Sequence, residues 1–337
     1  MKPVPAIVMI CVLLVTAALG SLLLGRYPVG FHDVLNFAVW SFTGCPPDKT
    51  QAMGLLENIF LHIRLPRIIG AVLVGSALSV SGAAFQSMFI NPLVSPGLLG
   101  VLAGASFGAA LSMVFFKSLL AVQMAAFGFG CAAVVLSMVL ARLNDGDRLL
   151  MLILGGIISG AFFTALLSIV KYLADPYNQL PAIVFWLMGG LSSVSNEMLM
   201  VVSVPILLSM AALMALTPYM NALSMGDEEA RSLGVRVGMI RAVLIVCATM
   251  MSALTVVMAG IIGWVGLVVP HITRMLVGPD NRVLIPTAAL IGAVYLLAMD
   301  DLSRLLFSVE IPLGILTALF GIPFFVLVLK NARKGWG

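Results

Sequence analysis

The chain carries very little charge. Of its 337 residues only 9% are Asp, Glu, Lys or Arg, while 61% are hydrophobic. A soluble domain carries roughly 25% charged residues, and a chain this apolar could not cover a water-facing surface with polar side chains. Lipid is therefore the solvent for most of it. Backbone polar groups in lipid must be paired internally, which leaves helices or a closed barrel. Barrel strands alternate in polarity. The apolar runs here are continuous and approach the ~20 residues of a membrane helix. The expected fold is all-α, a polytopic membrane protein of about ten transmembrane helices.

Other shortages exclude chemistry. The four cysteines, Cys11, Cys45, Cys131 and Cys247, are far apart, so no disulfide framework is implied. Cys11, Cys131 and Cys247 lie in apolar runs and read as small core residues. No Cys/His spacing suits a metal, and no metal site or cofactor is expected. The pattern G-x-x-x-x-G-K-[ST] is missing, and the dipeptide Gly-Lys occurs nowhere, which excludes an ATP site of that type. H-E-x-x-H is missing too, and no catalytic residue is assigned. The net charge of +4 is scattered between apolar runs rather than gathered, so nucleic acid is not an expected partner. All fourteen acidic residues fall between the apolar runs or near their ends. Ion-coupled transporters usually keep carboxylates inside their spans. Energy is then expected from a partner, or the chain is a passive channel.

What is present is a series of apolar runs, at 4–25, 67–90, 97–116, 119–141, 149–173, 198–217, 238–259, 262–277, 283–299 and 311–329. The first is longer than a signal-peptide core and reads as a retained helix. The eighth is short and contains Pro270, so a short or broken helix is expected. Leu180 to Ser195, interrupted by Pro181, Gly189 and Gly190, reads as a short helix at the membrane face. An even number of spans places both termini on one side. With both in the cytoplasm, 11 of the 18 Lys and Arg face inward, in the sense of the positive-inside rule. The tail Lys330, Arg333, Lys334 agrees with this.

Small residues recur at helical spacing, at Gly100, Gly104 and Gly108 and at Gly156 and Gly160. They suit close helix packing within the chain or a dimer seam. Ser76-Ala77-Leu78-Ser79-Val80 is echoed by Ser252-Ala253-Leu254-Thr255-Val256. The intervening span count makes the two helices antiparallel, as in an inverted repeat. His271, beside Pro270, reads as a packing or capping residue. The longest polar insert runs from Asn221 to Val235. Asp227 to Leu233 suits a short helix with acids at its start and Gly234 at its C-cap. On its residues alone this is a solvated connector or a docking segment.

Gly226-Asp227-Glu228-x-Ala230-x-x-Leu233-Gly234 resembles the coupling segment of ATP-binding-cassette importer permeases. The chain as a whole resembles the FecCD-type permeases, which import iron–siderophore complexes, haem and cobalamin. The likeness runs through Arg64-Leu65-Pro66-Arg67, Ser81-Gly82-Ala83, Gln86 and the stretch Asn91 to Gly100. It continues through Trp186-x-Met188-Gly189-Gly190, Gly266 to His271 with Arg274, and Ile311-Pro312-Leu313-Gly314.

The resemblance implies a single transmembrane permease domain over 1–337, with a cytoplasmic coupling segment at about 221–237. It implies a homodimer around a central pathway in the inner membrane of a bacterium or archaeon. Two ATP-binding-cassette subunits dock on the cytoplasmic side, and a periplasmic or extracellular substrate-binding protein docks on the other. The cargo is a metal chelate, iron–siderophore first, with cobalamin or haem as alternatives; an ion-coupled transporter is the competing class. Gly226, Asp227, Glu228, Ala230, Leu233 and Gly234 would couple to the ATPase, with Ala230 against it. Asn91 and Leu93 would form a cytoplasmic gate, with Gly146 and Asp147 a second constriction where the family often has small hydroxyl residues. Pro92 and Pro96 suit a junction there, and an ordinary connector is the alternative.

Arg64, Arg67 and Arg304 would dock the binding protein, since the family's arginines at these positions meet its glutamates. Arg64 and Arg67 would share a helix face, with Pro66 at the helix start. Arg304 could instead pair with Asp300 or Asp301.

Overall fold

The computed structural model describes residues 3–332 except 26, 28, 31, 35, 37, 38, 41–50, 117, 144 and 145. Lys2, Arg26, Cys45, Lys49, Lys117, Arg333 and Lys334, used above, lie outside the described residues. The fold is all-helical, and seven helices are long and apolar enough to cross a membrane. The other three expected spans coincide with shorter apolar helices, Val101–Phe115, Val265–Val277 and Leu313–Leu327.

In chain order the helices are α1 (Pro3–Leu23), α2 (Leu65–Met88), α3 (Val101–Phe115), α4 (Leu119–Arg142), α5 (Arg148–Leu173), α6 (Gln179–Met188) and α7 (Asn196–Ala215). Then follow α8 (Thr217–Leu223), α9 (Asp227–Ser232), α10 (Val237–Ala259), α11 (Val265–Val277), α12 (Asn281–Leu305) and α13 (Leu313–Ala332). Two limits differ from expectation. Pro66 stands in the first turn of α2, as expected, but no loop precedes it: Gln51–Glu57 is helical and a π-helical stretch, Asn58–Arg64, runs straight into α2. The wider π turn accommodates the N–H that Pro66 lacks. α12 runs past the expected 299 to Leu305, so Asp300 and Asp301 sit on its last turns.

The centre is α2, wrapped by α12, α10, α11 and α7. Its Ser, Gly and Ala residues let those neighbours approach. A Cβ on Gly75 would lie 2.2 Å from the Gly292 carbonyl oxygen of α12, and one on Gly82 1.8 Å from that of Gly266 in α11. Hydroxyls cover the helix surface that results: Ser76 donates to the Ala289 carbonyl at 2.8 Å, and Ser252 lies 3.3 Å from Ser81. The pairings 67 with 300, 76 with 289 and 87 with 281 make α2 and α12 antiparallel. α10 starts beside α9 and ends at Gly260, in a cavity it shares with Arg67. It therefore also opposes α2, as the echoed pentapeptides require.

Gly104 and Gly108 press α3 on Phe129 and Ala125 of α4, and Gly156 meets the Leu98 carbonyl, all within the chain. α6 ends at Gly189, whose φ of +73° suits glycine. There Gly190 donates to the Ala259 carbonyl and Leu313 to that of Gly189. Cys247 is buried and Cys131 half-buried, but Cys11 is exposed on α1, so it is not a core residue.

Candidate functional site

The coupling end is built around α9. Asp227, Glu228 and Glu229 occupy its first turn, where they complement the helix dipole. Gly226 (φ +119°) admits the helix and Gly234 (φ +78°) closes it, conformations that favour glycine. Asp227 accepts from both terminal nitrogens of Arg241 on α10, at 2.8 and 2.5 Å, a bidentate pair that fixes α9 to the bundle. Arg231 lies 3.7 Å from the same carboxylate. Ala230 is fully buried and packs inward. It is small because α9 lies flat on its own subunit, which corrects the expectation that Ala230 meets a partner. The apolar residues presented outward are Leu233 (64% exposed) and Met225 (66%).

The gate segment follows α2. Ile90 takes φ +49°, strained for a β-branched residue. Asn91 then donates from its N–H to the Gln86 carbonyl and accepts the Leu93 N–H at 2.9 Å on its side chain. Asn91 and Leu93 are both exposed. Arg274 holds the Gln86 carbonyl side-chain oxygen at 3.1 Å. Asp147 caps α5, accepting from Leu149 and Leu150 at 2.8 and 3.0 Å. Those N–H groups, Leu150 first, hold its carboxyl below the ordinary carboxylate value. One cavity of about 410 Å³ is lined by Ile90, Asp147, Asp227, Arg231 and Arg241 among others. Asp147 at the start of α5 and Asp227 at the start of α9 therefore line one space.

A polar chain joins α8, which leads into α9, to the end of α2. Asn221, on α8 just before α9, donates to Asp280 at 2.6 Å and accepts from the Asn281 backbone and side chain, both at 2.8 Å. Buried Ser87, near the end of α2, donates to the Asn281 side-chain oxygen at 2.7 Å. Asp280 caps α12 through the Arg282 N–H at 3.0 Å. The Asn221 amide, then the Arg282 N–H, lower its pKa.

At the opposite end, Arg64, Arg67 and Arg304 are buried, 4%, 8% and 8% exposed. The expectation of an open arginine surface is corrected. Arg67 makes a double contact with Asp300 at 2.9 and 3.0 Å and another with Glu310 at 3.0 and 3.1 Å. Arg304 pairs with both Asp300 and Asp301, and also meets Ser21 and the Leu24 carbonyl. Arg64 donates to the carbonyls of Leu22 and Tyr27. Burial in a chain this apolar requires such satisfaction. Glu310, one-third exposed, is the most accessible acid there.

Residues 12–331 match the FecCD transport family. The chain belongs to that family, the permease subunits of ATP-binding-cassette importers. It is 39% identical over 326 residues to a molybdate import permease of Haemophilus influenzae, covering 96% of this chain and 95% of that one. It is 36% identical over 330 residues to a hemin transport permease of Yersinia pestis, at 96% and 94% coverage. A structure titled as an inward-facing metal-chelate type transporter superposes with a TM-score of 0.86 at 38% identity, covering 96% of this chain and 98% of that one.

Reasoning from the sequence of this FecCD permease missed Glu310, Ser21 and Arg241 at the two ends, and the whole Ser87–Asn281–Asn221 chain. Asp280-Asn281 before an apolar run carried the usual N-cap signal; the other partners are far apart in sequence. Among the described residues no three His, Cys, Asp or Glu side chains gather to hold a metal. His271 packs against the Phe324 and Phe325 rings at 6.4 and 6.2 Å. The spacing G-x-S-x-G does occur, at Gly104 to Gly108. It lies mid-helix with Ser106 bonded to the Leu102 carbonyl at 2.6 Å, unlike a strand-to-helix nucleophile turn.

Proposed function

We propose that this permease forms the pathway of an ATP-driven importer for a metal chelate, working as a homodimer with both termini cytoplasmic. Two separate ATPase subunits bind α9 through Leu233 and Met225 and hydrolyse the ATP. The observation that carries this reading is the Asn221–Asn281–Ser87 chain. It ties α8, which leads into α9, to the end of α2, which leads into the segment bearing Asn91 and Leu93, so a push on α9 reaches a gate formed by those residues with Gly146 and Asp147.

A binding protein docks at the opposite end through Arg67, while Arg64 and Arg304 stay engaged within the chain beside it. To meet a partner's carboxylate, Arg67 exchanges it for Glu310, the acid nearest the surface. Glu310→Gln therefore tightens docking, measured by calorimetry with the purified binding protein; weaker docking in that variant sinks the exchange.

Iron–siderophore is the proposed cargo, consistent with the iron chelatin, hemin and vitamin B12 permeases among the relatives. The molybdate relative supports a second reading, an oxyanion cargo. Binding of ferric siderophore, haemin, cobalamin and molybdate to the cognate binding protein decides between them. Affinity for molybdate alone would replace the chelate reading.

A further inference from the structure

A second cavity, about 550 Å³, lies behind α9 between α4, α5 and α10. Four guanidinium groups line it: Arg142, Arg148, Arg231 and Arg241. The one carboxylate in its lining is Asp227. Asp227 already holds Arg241, with Arg231 at 3.7 Å. The guanidinium groups of Arg142 and Arg148 have no ion pair or hydrogen bond among the described residues. Arg148 is also the first residue of α5, where a positive charge opposes the helix dipole. Arg142 and Arg148 are both exposed as well as unpaired among the described residues, and so are free to take an anionic partner at the mouth of the cavity. The deeper wall is apolar, with Leu152 and Ile245 both buried.

A basic mouth over an apolar wall fits an amphiphile with an anionic head. Guanidinium forks match the geometry of phosphate oxygens. Basic pockets between membrane helices are a recurrent seat for phospholipid head groups. We infer that this cavity binds a phosphate-type oxyanion, supplied by the head group of an anionic phospholipid whose chains follow the apolar wall. A free oxyanion has the same head chemistry but no use for Leu152 and Ile245. Bound there, the head group bridges α4 and α5 to the coupling helix, so the lipid tunes how firmly α9 is held.

The test uses the complete transporter, permease with its ATPase subunits, in nanodiscs of phosphatidylcholine alone or with about one third phosphatidylglycerol. Native mass spectrometry counts retained phosphatidylglycerol. Each basic side chain beside an anionic head contributes about fivefold, so Arg142→Gln with Arg148→Gln lowers retention about thirtyfold. The control pair, Arg236→Gln with Arg282→Gln, removes the same charge from exposed positions at the same end that do not line the cavity; it leaves retention within a few-fold. Arg142→Lys with Arg148→Lys keeps the charge and most of the binding, and shows that loss in the glutamine pair is not misfolding. Equal loss in both glutamine pairs would mean general surface attraction and overturn the site. Unchanged retention in the cavity pair would overturn it too. Saturable binding of inorganic phosphate or molybdate in pure phosphatidylcholine, abolished by the cavity pair, with no phosphatidylglycerol retained, would replace the lipid by a soluble oxyanion.

Discussion

The antiparallel pair α2 and α12 is tied at both ends, but by different chemistry. At one end Arg67, Asp300, Arg304, Asp301 and Glu310 form a buried ion network. At the other, Ser87, Asn281 and Asn221 form a hydrogen-bonded chain of uncharged side chains with no ion pair, ending on the Asp280 carboxylate. Between them, Gly75 and Gly292 bring the backbones into contact. Buried ion pairs cost several kcal/mol to break from one side. A neutral hydrogen bond contributes about 1 kcal/mol net and re-forms readily with water or another amide. The charged end therefore behaves as an anchor and the neutral end as a joint. That asymmetry suits a machine driven from the joint side, where α9 and the proposed gate segment both lie.

The largest expected effect comes from the anchor. Asp300→Ala removes the fully buried carboxylate shared by Arg67 and Arg304, leaving them only Glu310 and Asp301, and should destabilise the permease by about 3 kcal/mol, read as a large drop in unfolding temperature of the purified protein. A neutral result would mean that the two ends do not differ as described. Asn281→Ala removes the centre of the joint. It should cost about 1–3 kcal/mol, and its main consequence should be ATP hydrolysis without transport in proteoliposomes. Loss of both activities together would make the joint merely structural.

Leu233→Asp leaves the bundle alone, because a surface change of this kind shifts stability by only about 0.5 kcal/mol. Co-purification of the ATPase should fail in that variant, whereas Ala230→Trp should fail earlier, at folding. Smallest is the effect of acid. The Asp280 carboxyl is held below its ordinary value. Its contribution is complete above the unfolded carboxylate pKa and is lost as pH falls through the lower folded value. Thermal stability should thus decline only at strongly acidic pH, and Asp280→Asn should flatten that slope slightly.

Much of the fold was legible because lipid leaves the backbone so few options. Continuous apolar runs located the seven long helices, and Pro270 announced the short α11. The short coupling helix was legible from local rules alone, acids at Asp227 to Glu229 and glycine at 234. Pro66 marked the first turn of α2, but nothing local reveals that a π-helical stretch precedes it. Arg67 was read as a surface because its burial depends on Asp300 and Glu310, more than 200 residues away in sequence; Arg64 folds onto the carbonyls of Leu22 and Tyr27, whereas the pairing of Arg304 with its own helix was open to local spacing. Ala230 was turned the wrong way because a small residue fits a close partner and a close bundle equally well. The Ser87–Asn281–Asn221 chain is invisible in sequence for the same reason as the arginine network: its members meet only after the helices cross.

If the joint carries motion from α9 to the proposed gate, a cysteine at Leu93 reports it. The direct test replaces the native cysteines, places one at Leu93 in the assembled transporter, and follows disulfide cross-linking between the two permease copies with and without nucleotide. With Asn281 present, cross-linking yield should change with nucleotide. With Asn281→Leu, ATP should still be hydrolysed while the yield stays fixed. A folded Asn281→Leu transporter whose cross-linking still follows nucleotide as before would contradict the account.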